Sequence, residues 1–260
     1  MGVTAMTKID FGRTASDYAR HRAGFPPLLL ERLSTFGIGE AGQTVLDLGT
    51  GTGSLARLLA ARGAVVTGLD PAEPLLEQAR RLAREDGLEI TFVTGEAERT
   101  GLPSAAFDVV TAGQCWHWFR APEAAAEARR LLRPDGRIVI AHFDWLPLPG
   151  NVVEATERLI LAHNPAWTLS GGTGMYPRWL ADLRTAGFHD VETFSFDVDV
   201  PYTRDAWVGR IRASAGVAAS LPAPAVERFS AELTALITED RLTIPHRVWA
   251  VVADNGPAVP

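Results

Sequence analysis

Apolar residues recur with two different periods along this chain. Between residues 44 and 144, runs of six to eight residues are nearly continuous in apolar and β-branched side chains: "TVLDLG" (44–49), "AVVTGLD" (64–70), "EITFVTG" (89–95), "FDVVTAG" (107–113) and "RIVIAHFD" (137–144). Such runs read as strands covered on both faces. Between them the spacing changes to that of amphipathic helices in "SLARLLAARG", "PLLEQARRLAREDG" and "APEAAAEARRLLRPDG". Each ends in glycine, and "RPDG" predicts a turn. Alternation of this kind predicts parallel βαβ units.

The pattern is less regular on either side. Residues 1–43 hold two predicted helices, around "TASDYARHR" and "PPLLLERLSTFG". After residue 144, proline, glycine and tryptophan interrupt the chain up to residue 177, and "SGGTGMYP" (170–177) reads as a hinge more readily than as an anion site. "RWLADLRTAGF" (178–188) predicts a helix, and "DVETFSFDVDV" (190–200) and "RLTIPHRVWAVVA" (241–253) predict two more strands. Pro245 places the second of these at an edge or a bulge near its start. The expectation is one domain in three parts: an N-terminal helical segment (1–43), a nucleotide-type core (44–144), and the rest of the sheet (145–260) carrying helical insertions at 145–177 and 201–240. Trp145, Trp167, Tyr176 and Trp207 lie in those insertions.

Composition removes several functional classes. The 25 basic against 31 acidic residues give a net charge of −6, which offers no general attraction to nucleic acid or anionic membrane. No apolar run is long enough for a membrane span, and the start lacks the apolar core of a secretory signal. One cysteine, Cys115, fits a reducing cytoplasm. Cys115 itself reads as a packing residue. His142, His163 and His246 lack ligand spacing, so no metal is expected.

The chemistry concentrates in "VLDLGTGTGSLARLL" (45–59), a strand, a glycine turn and a helix. Read from Gly51, "GTGSLA" satisfies a dinucleotide fingerprint, with Asp70 following 19 residues later. Read from Gly49, the same residues give Asp47-x-Gly49-x-Gly51-x-Gly53. A pyrophosphate is repelled by nearby carboxylates, whereas a ligand carrying ammonium and sulfonium groups is favoured by them. Asp47, Asp70 and Glu96 all fall at or near strand carboxyl ends, where open α/β sheets bind ligands. A P-loop is excluded, because Ser54 and Leu55 follow Gly53 where lysine and a hydroxyl residue are required.

"VLDLGTGTG", "GLDPAEPLLEQAR", "VTGEAERTGLPSAAFDVV" and "LLRPDG" together resemble the class I S-adenosylmethionine-dependent methyltransferases over residues 11–144. The resemblance is to the small-molecule branch that holds the ubiquinone/menaquinone-biosynthesis and trans-aconitate methyltransferases. Thr50 stands where that family often has cysteine, and Glu96 where aspartate is common.

The resemblance implies a doubly wound, Rossmann-like α/β fold: seven strands, mostly parallel with one antiparallel, plus helical cap insertions. It implies methyl transfer from S-adenosylmethionine, with S-adenosylhomocysteine as product, to a small organic molecule; a monomer and a homodimer both stay open. Gly49, Gly51 and Gly53 would let the cofactor approach the backbone, with Asp47 near its amino group. Asp70, followed by Pro71, would accept the ribose hydroxyls, and Glu96 and Ala97 would flank adenine. Tyr18 and Arg22, four apart on an N-terminal helix, and Gln114 would face the methionine end.

"GQCWHWF" (113–119) follows the fourth strand, in the loop that borders the transferred methyl group in this family. His117 stands there either as a general base or as a hydrogen-bonded wall residue, with Trp116 and Trp118 as packing anchors. His142 and Asp144, at the end of the fifth strand, face the same region. The alternatives are a nicotinamide-dependent oxidoreductase and a non-catalytic S-adenosylmethionine-binding protein.

Overall fold

A computed structural model describes residues 23–256. These residues form one sheet of seven strands: β1 (Thr44–Leu48), β2 (Val65–Asp70), β3 (Ile90–Thr94), β4 (Phe107–Gly113), β5 (Leu132–Trp145), β6 (His189–Thr203) and β7 (Arg241–Asp254), in the order β3-β2-β1-β4-β5-β7-β6. The pairs β1·β2, β1·β4, β2·β3 and β4·β5 are parallel. The sheet is Rossmann-like, mostly parallel with one antiparallel pair. Eight helices accompany it among the described residues: α1 (Leu28–Ser34), α2 (Ser54–Ala61), α3 (Glu73–Glu85), α4 (Ala121–Leu131), α5 (Val152–His163), α6 (Arg178–Ala186), α7 (Arg204–Arg212) and α8 (Ala223–Leu236). No helix among them is long and apolar enough to cross a membrane.

By its contacts the chain clusters into two compact units. One holds residues 24–144, 174–198 and 247–256, and with them β1–β4 and most of β5. Its core follows from the two periods of the sequence: Val45, Leu46 and Leu48 of β1 are fully buried, while α4 buries only Ala124, Ala125, Ala128 and Leu131, one stripe of a 3.6-residue repeat. Leu46, Leu48, Val110, Ile138, Trp116, Trp179 and Trp249 belong to one continuous cluster.

The other unit holds Ala23 with residues 145–173 and 199–246. Here α8 packs on α5 and α7 around Trp207, Phe229 and Ile160. Helix α5 is started by Asn151, whose side chain accepts from the Glu154 N–H (2.9 Å) while Glu154 accepts from the Gly150 N–H (2.8 Å).

Two expectations change. "RPDG" does not close a turn outside the sheet. It lies within β5 as an irregularity, where Phe107 pairs with Leu132 but Val109 pairs with Arg137. Asp108, between the two, takes an ion pair from Arg133, so pairing with β4 overrides the local turn signal. Of the two places expected for Pro245, an edge strand is excluded, because β7 lies between β5 and β6. Its carbonyl accepts from the Leu146 N–H (2.8 Å), a bond for which proline needs no N–H of its own.

Candidate active site

Strand order reverses direction at β1, which has β2 on one side and β4 on the other, and the five strands joined by parallel pairing, β1–β5, end on the same edge of the sheet. Such a reversal opens a crevice at the strands' carboxyl ends. The turn after β1 runs through Gly49, Gly51 and Gly53 at φ of +61°, +55° and +78°, and delivers the chain into α2. These glycines serve different ends. A Cβ on Gly49 would stand 2.8 Å from the Cβ of Cys115 and 3.0 Å from the Phe119 ring, and one on Gly53 would touch Ala79 and Phe92. A Cβ on Gly51 would meet nothing within 4 Å. Gly51 is therefore the position at which the turn presents bare backbone to open space.

Two carboxylates support the turn. Asp70, at the end of β2, accepts the Gly51 N–H on Oδ2 (2.9 Å) and the Ala72 N–H on Oδ1 (2.9 Å). Asp47, in β1, accepts the hydroxyls of Thr50 (2.7 Å) and Thr111 (2.6 Å), one on each oxygen. Burial pushes the Asp47 carboxyl up to about 6; the two hydroxyls lower it and the charge of Asp70 raises it. Burial likewise raises Asp70, against the pull of its two N–H donors. The hydrogen-bond partners of both acids are neutral hydroxyls and backbone amides, so the turn rests on negative charge in a low-dielectric setting.

A second constellation lies at the ends of β4 and β5. Cys115 sits beneath the turn with its thiol donating to the Leu48 carbonyl (3.1 Å), and a 3-10 turn over Trp116–Trp118 follows it. Trp116 points inward, 1% exposed, with its indole N–H on Asp182 (3.2 Å), whereas Trp118 is 37% exposed. Of the two tryptophans expected as packing anchors, Trp116 is one and belongs to the core cluster, whereas Trp118 is not. His117, half-buried, touches the Trp118 ring (centroids 4.4 Å) and brings Nδ1 to 3.2 Å from Nε2 of His142.

His142 and Asp144 alternate along β5 and so share a face, with Nδ1 of His142 donating to Oδ2 of Asp144 (2.8 Å). The same Oδ2 accepts the Tyr176 hydroxyl. Burial alone would raise Asp144, but the charge and hydrogen bond of His142, the Tyr176 hydroxyl and the charge of His117 hold it at about 2. Tyr176 is shifted upward by burial and by Asp144. Its ring stacks on Trp179 at 4.2 Å and 4°.

The remaining predicted residues are placed as follows. Glu96 is exposed and Ala97 buried, just beyond β3, where the Gly95 N–H donates to the Asp70 carbonyl (3.2 Å). Pro71 is exposed at the start of the turn into α3. Gln114 adopts φ +64°, and its amide donates to the Phe143 carbonyl of β5. Tyr18 and Arg22 lie outside the described residues. Tyr176 and Trp179 were not foreseen beside His142. Elsewhere, His189, Asp190 and Asp254 bring ligand-type atoms within 4.8 Å, with Asp190 taken up by His189 and Asp254 by Arg137.

A strand-ended crevice, a left-handed glycine turn and acidic supports define the class I methyltransferase architecture, and comparison with known proteins agrees. The family described as "Methyltransferase domain" matches residues 46–140. A malonyl-[acyl-carrier protein] O-methyltransferase of Geobacter sulfurreducens is 34% identical over 209 residues, covering 75% of this chain and 74% of that protein. The chain belongs to the class I S-adenosylmethionine-dependent methyltransferases. An uncharacterized methyltransferase of Mycobacterium bovis is 34% identical over 130 residues, and the chain spans only about half the length of that relative (50%). In fold it resembles a Haemonchus contortus phosphoethanolamine N-methyltransferase solved with S-adenosylhomocysteine, at a TM-score of 0.60 and 19% identity, over 98% of this chain and 61% of that one.

Proposed function

We propose that this protein transfers a methyl group from S-adenosylmethionine to a small organic acceptor. The observation that carries the reading is the pairing of Gly51, open to its surroundings, with the Asp70 carboxylate that accepts its N–H. A carboxylate retains lone pairs beyond the two N–H bonds it accepts, and these suit the two ribose hydroxyls. Raised Asp47 and Asp70 favour a ligand that brings positive charge, as the ammonium and sulfonium of this cofactor do, and disfavour a pyrophosphate.

Glu96 and Ala97 are assigned to adenine, Pro71 to the turn beside the ribose, and Gln114 to the methionine end. Tyr18 and Arg22 are assigned to the same end on the family resemblance. Asp47 acts from below, through Thr50, on the shape of the turn, and supplies the charge that faces the amino group. The cofactor's methyl is already electrophilic, so the protein's task is to align the acceptor and exclude water. The acceptor's proton is assigned to His117. The single thiol accords with action in a reducing cytoplasm.

Titration calorimetry tests the reading. S-adenosylhomocysteine should bind and NAD should not, and Asp70→Asn should weaken binding roughly 10- to 100-fold, the worth of a hydrogen bond to a charged group. Binding of NAD in place of S-adenosylhomocysteine would overturn it.

A further inference from the structure

One row of residues crosses the sheet beneath the glycine turn. In the parallel register Phe92 of β3, Gly68 of β2, Asp47 of β1 and Thr111 of β4 are successive partners. Residues side by side in a ladder project from the same face. We propose that Thr111, fully buried and one strand away from the turn, is a positioning residue for cofactor binding: with Thr50 it keeps the Asp47 carboxylate aimed and charged. The inference rests on the methyl-transfer reading above, in which Asp47 supplies the charge that faces the cofactor's amino group.

The neighbours of Asp47 in the row determine its partners. On the β2 side Gly68 has no side chain, and a Cβ there would stand 2.9 Å from both the Phe92 ring and the Thr50 methyl. The Thr50 methyl thus occupies space that the glycine leaves, while its hydroxyl donates to Oδ2 of Asp47 (2.7 Å). The Thr50 backbone is fixed as well, its N–H donating to the Leu69 carbonyl (3.0 Å) and its carbonyl accepting the Gly53 N–H (2.8 Å). On the β4 side the Thr111 hydroxyl donates to Oδ1 (2.6 Å). Each carboxylate oxygen therefore has its own hydroxyl, one from the turn and one from β4.

A carboxyl that is 2% exposed carries charge at a large desolvation penalty, and donors to the charged form offset it. Burial is the largest influence on Asp47, the Thr111 hydroxyl the largest that opposes it, and the Thr50 hydroxyl the next. Asp70 of β2 is the charged group that bears on Asp47, and it works against ionisation; the Ala56 backbone of α2 works for it. Among the described residues, the groups that favour the charge are thus two hydroxyls and a backbone N–H. Replacing Thr50 would disturb the turn directly. Thr111 is not part of the turn, so its hydroxyl reaches the cofactor only through Asp47.

The sign follows. Above its midpoint Asp47 is charged and opposes the ligand's ammonium; below it the charge is gone. Removing a donor to the charged form raises the midpoint, so binding is lost on the acidic side and kept on the basic side.

The test is titration calorimetry of the full chain with S-adenosylhomocysteine from about pH 5 to 8, beside carboxyl NMR of its aspartates without ligand. Thr111→Val keeps the branched shape and removes the hydroxyl. It should raise the Asp47 midpoint by about one pH unit, weaken binding roughly 5- to 10-fold at about pH 5.5, and leave it within about twofold of wild type at about pH 8. Thr111→Ser retains the hydroxyl and should follow wild type throughout. Asp70 titrates too, but in an Asp47→Asn background Thr111→Val should have no pH-dependent effect. A loss of affinity that is equal at every pH marks a purely structural role and overturns the inference, as does an unmoved Asp47 midpoint. Wild type gives a check that needs no variant to fold: its affinity must fall as pH drops through the Asp47 midpoint, and a flat profile overturns the inference. Wild type that fails to bind S-adenosylhomocysteine at any pH removes the methyl-transfer reading itself, whereas binding whose profile ignores Thr111→Val removes the positioning role alone.

Discussion

Replacing Asp47 by asparagine should stabilise the protein at neutral pH, although it alters a fully buried residue beneath the glycine turn. The shapes match, and the amide can keep both hydroxyl partners by accepting from one threonine and donating to the other. What disappears is the charge. Burial raises the Asp47 carboxyl from the ordinary 3.8 to about 6, so between those values the folded protein holds a proton that the unfolded chain has released. Wild-type stability therefore falls as pH rises through this window, and the deficit is complete above about pH 6. At about 1.4 kcal/mol per pH unit, the interval corresponds to roughly 3 kcal/mol.

Urea unfolding of both proteins gives the variant's advantage over wild type. It should be near zero at about pH 3.5, where the acid is neutral in both states, and roughly 3 kcal/mol at about pH 7.5. Carboxylates with lowered values, such as Asp144, contribute equally to both proteins and cancel in the difference. The stabilised variant should also bind S-adenosylhomocysteine less tightly, since the charge proposed to face its amino group is gone. An advantage that does not change with pH, or one that shrinks as pH rises, refutes the reasoning.

Two further outcomes are expected. Gly49→Ala should lower the thermal midpoint more than Gly51→Ala does, because its methyl would strike Cys115 and Phe119; Gly51→Ala should cost only the ~1–2 kcal/mol of a left-handed alanine while reducing S-adenosylhomocysteine affinity, and calorimetry beside thermal unfolding would expose a reversed order. Trp179→Ala should destabilise the protein by about 3–5 kcal/mol in urea unfolding, since its ring is 1% exposed and stacked on Tyr176, and a loss below about 1 kcal/mol would show that the site collapses around the gap.

The parallel half of the fold was legible because its strands are covered on both faces, which leaves apolar runs that few other structures produce. Asp47, Asp70 and the glycines were legible for the same reason, as they interrupt those runs at strand ends. The division of labour among the glycines was not, since what a Cβ at Gly49 would meet is set by Cys115 and Phe119, far along the chain. His142 and Asp144 could be placed on one face by strand periodicity, but Tyr176 follows an unpatterned stretch and nothing local aims it at Asp144. "RPDG" misled in the other direction, since its turn chemistry is real but weaker than the ladder that β5 forms with β4. Trp116 and Trp118 are identical residues two apart, and only the tight turn between them decides which is buried.

The place of β7 bears on how the protein is made. This strand inserts between β5 and β6, where Arg137 of β5 pairs with Asp254 and the Gly136 carbonyl accepts the Asn255 N–H (2.9 Å). A ribosome completes β5 more than a hundred residues before Asp254, so at roughly 5–20 residues per second the growing chain carries an open sheet edge for about 5–20 s. During that interval the "IVIAHF" run of β5 offers unpaired backbone to any other strand, including the same run on a neighbouring nascent chain. Yield in the cell should therefore depend on synthesis rate and on chaperones that shield that edge, independently of how stable the finished protein is.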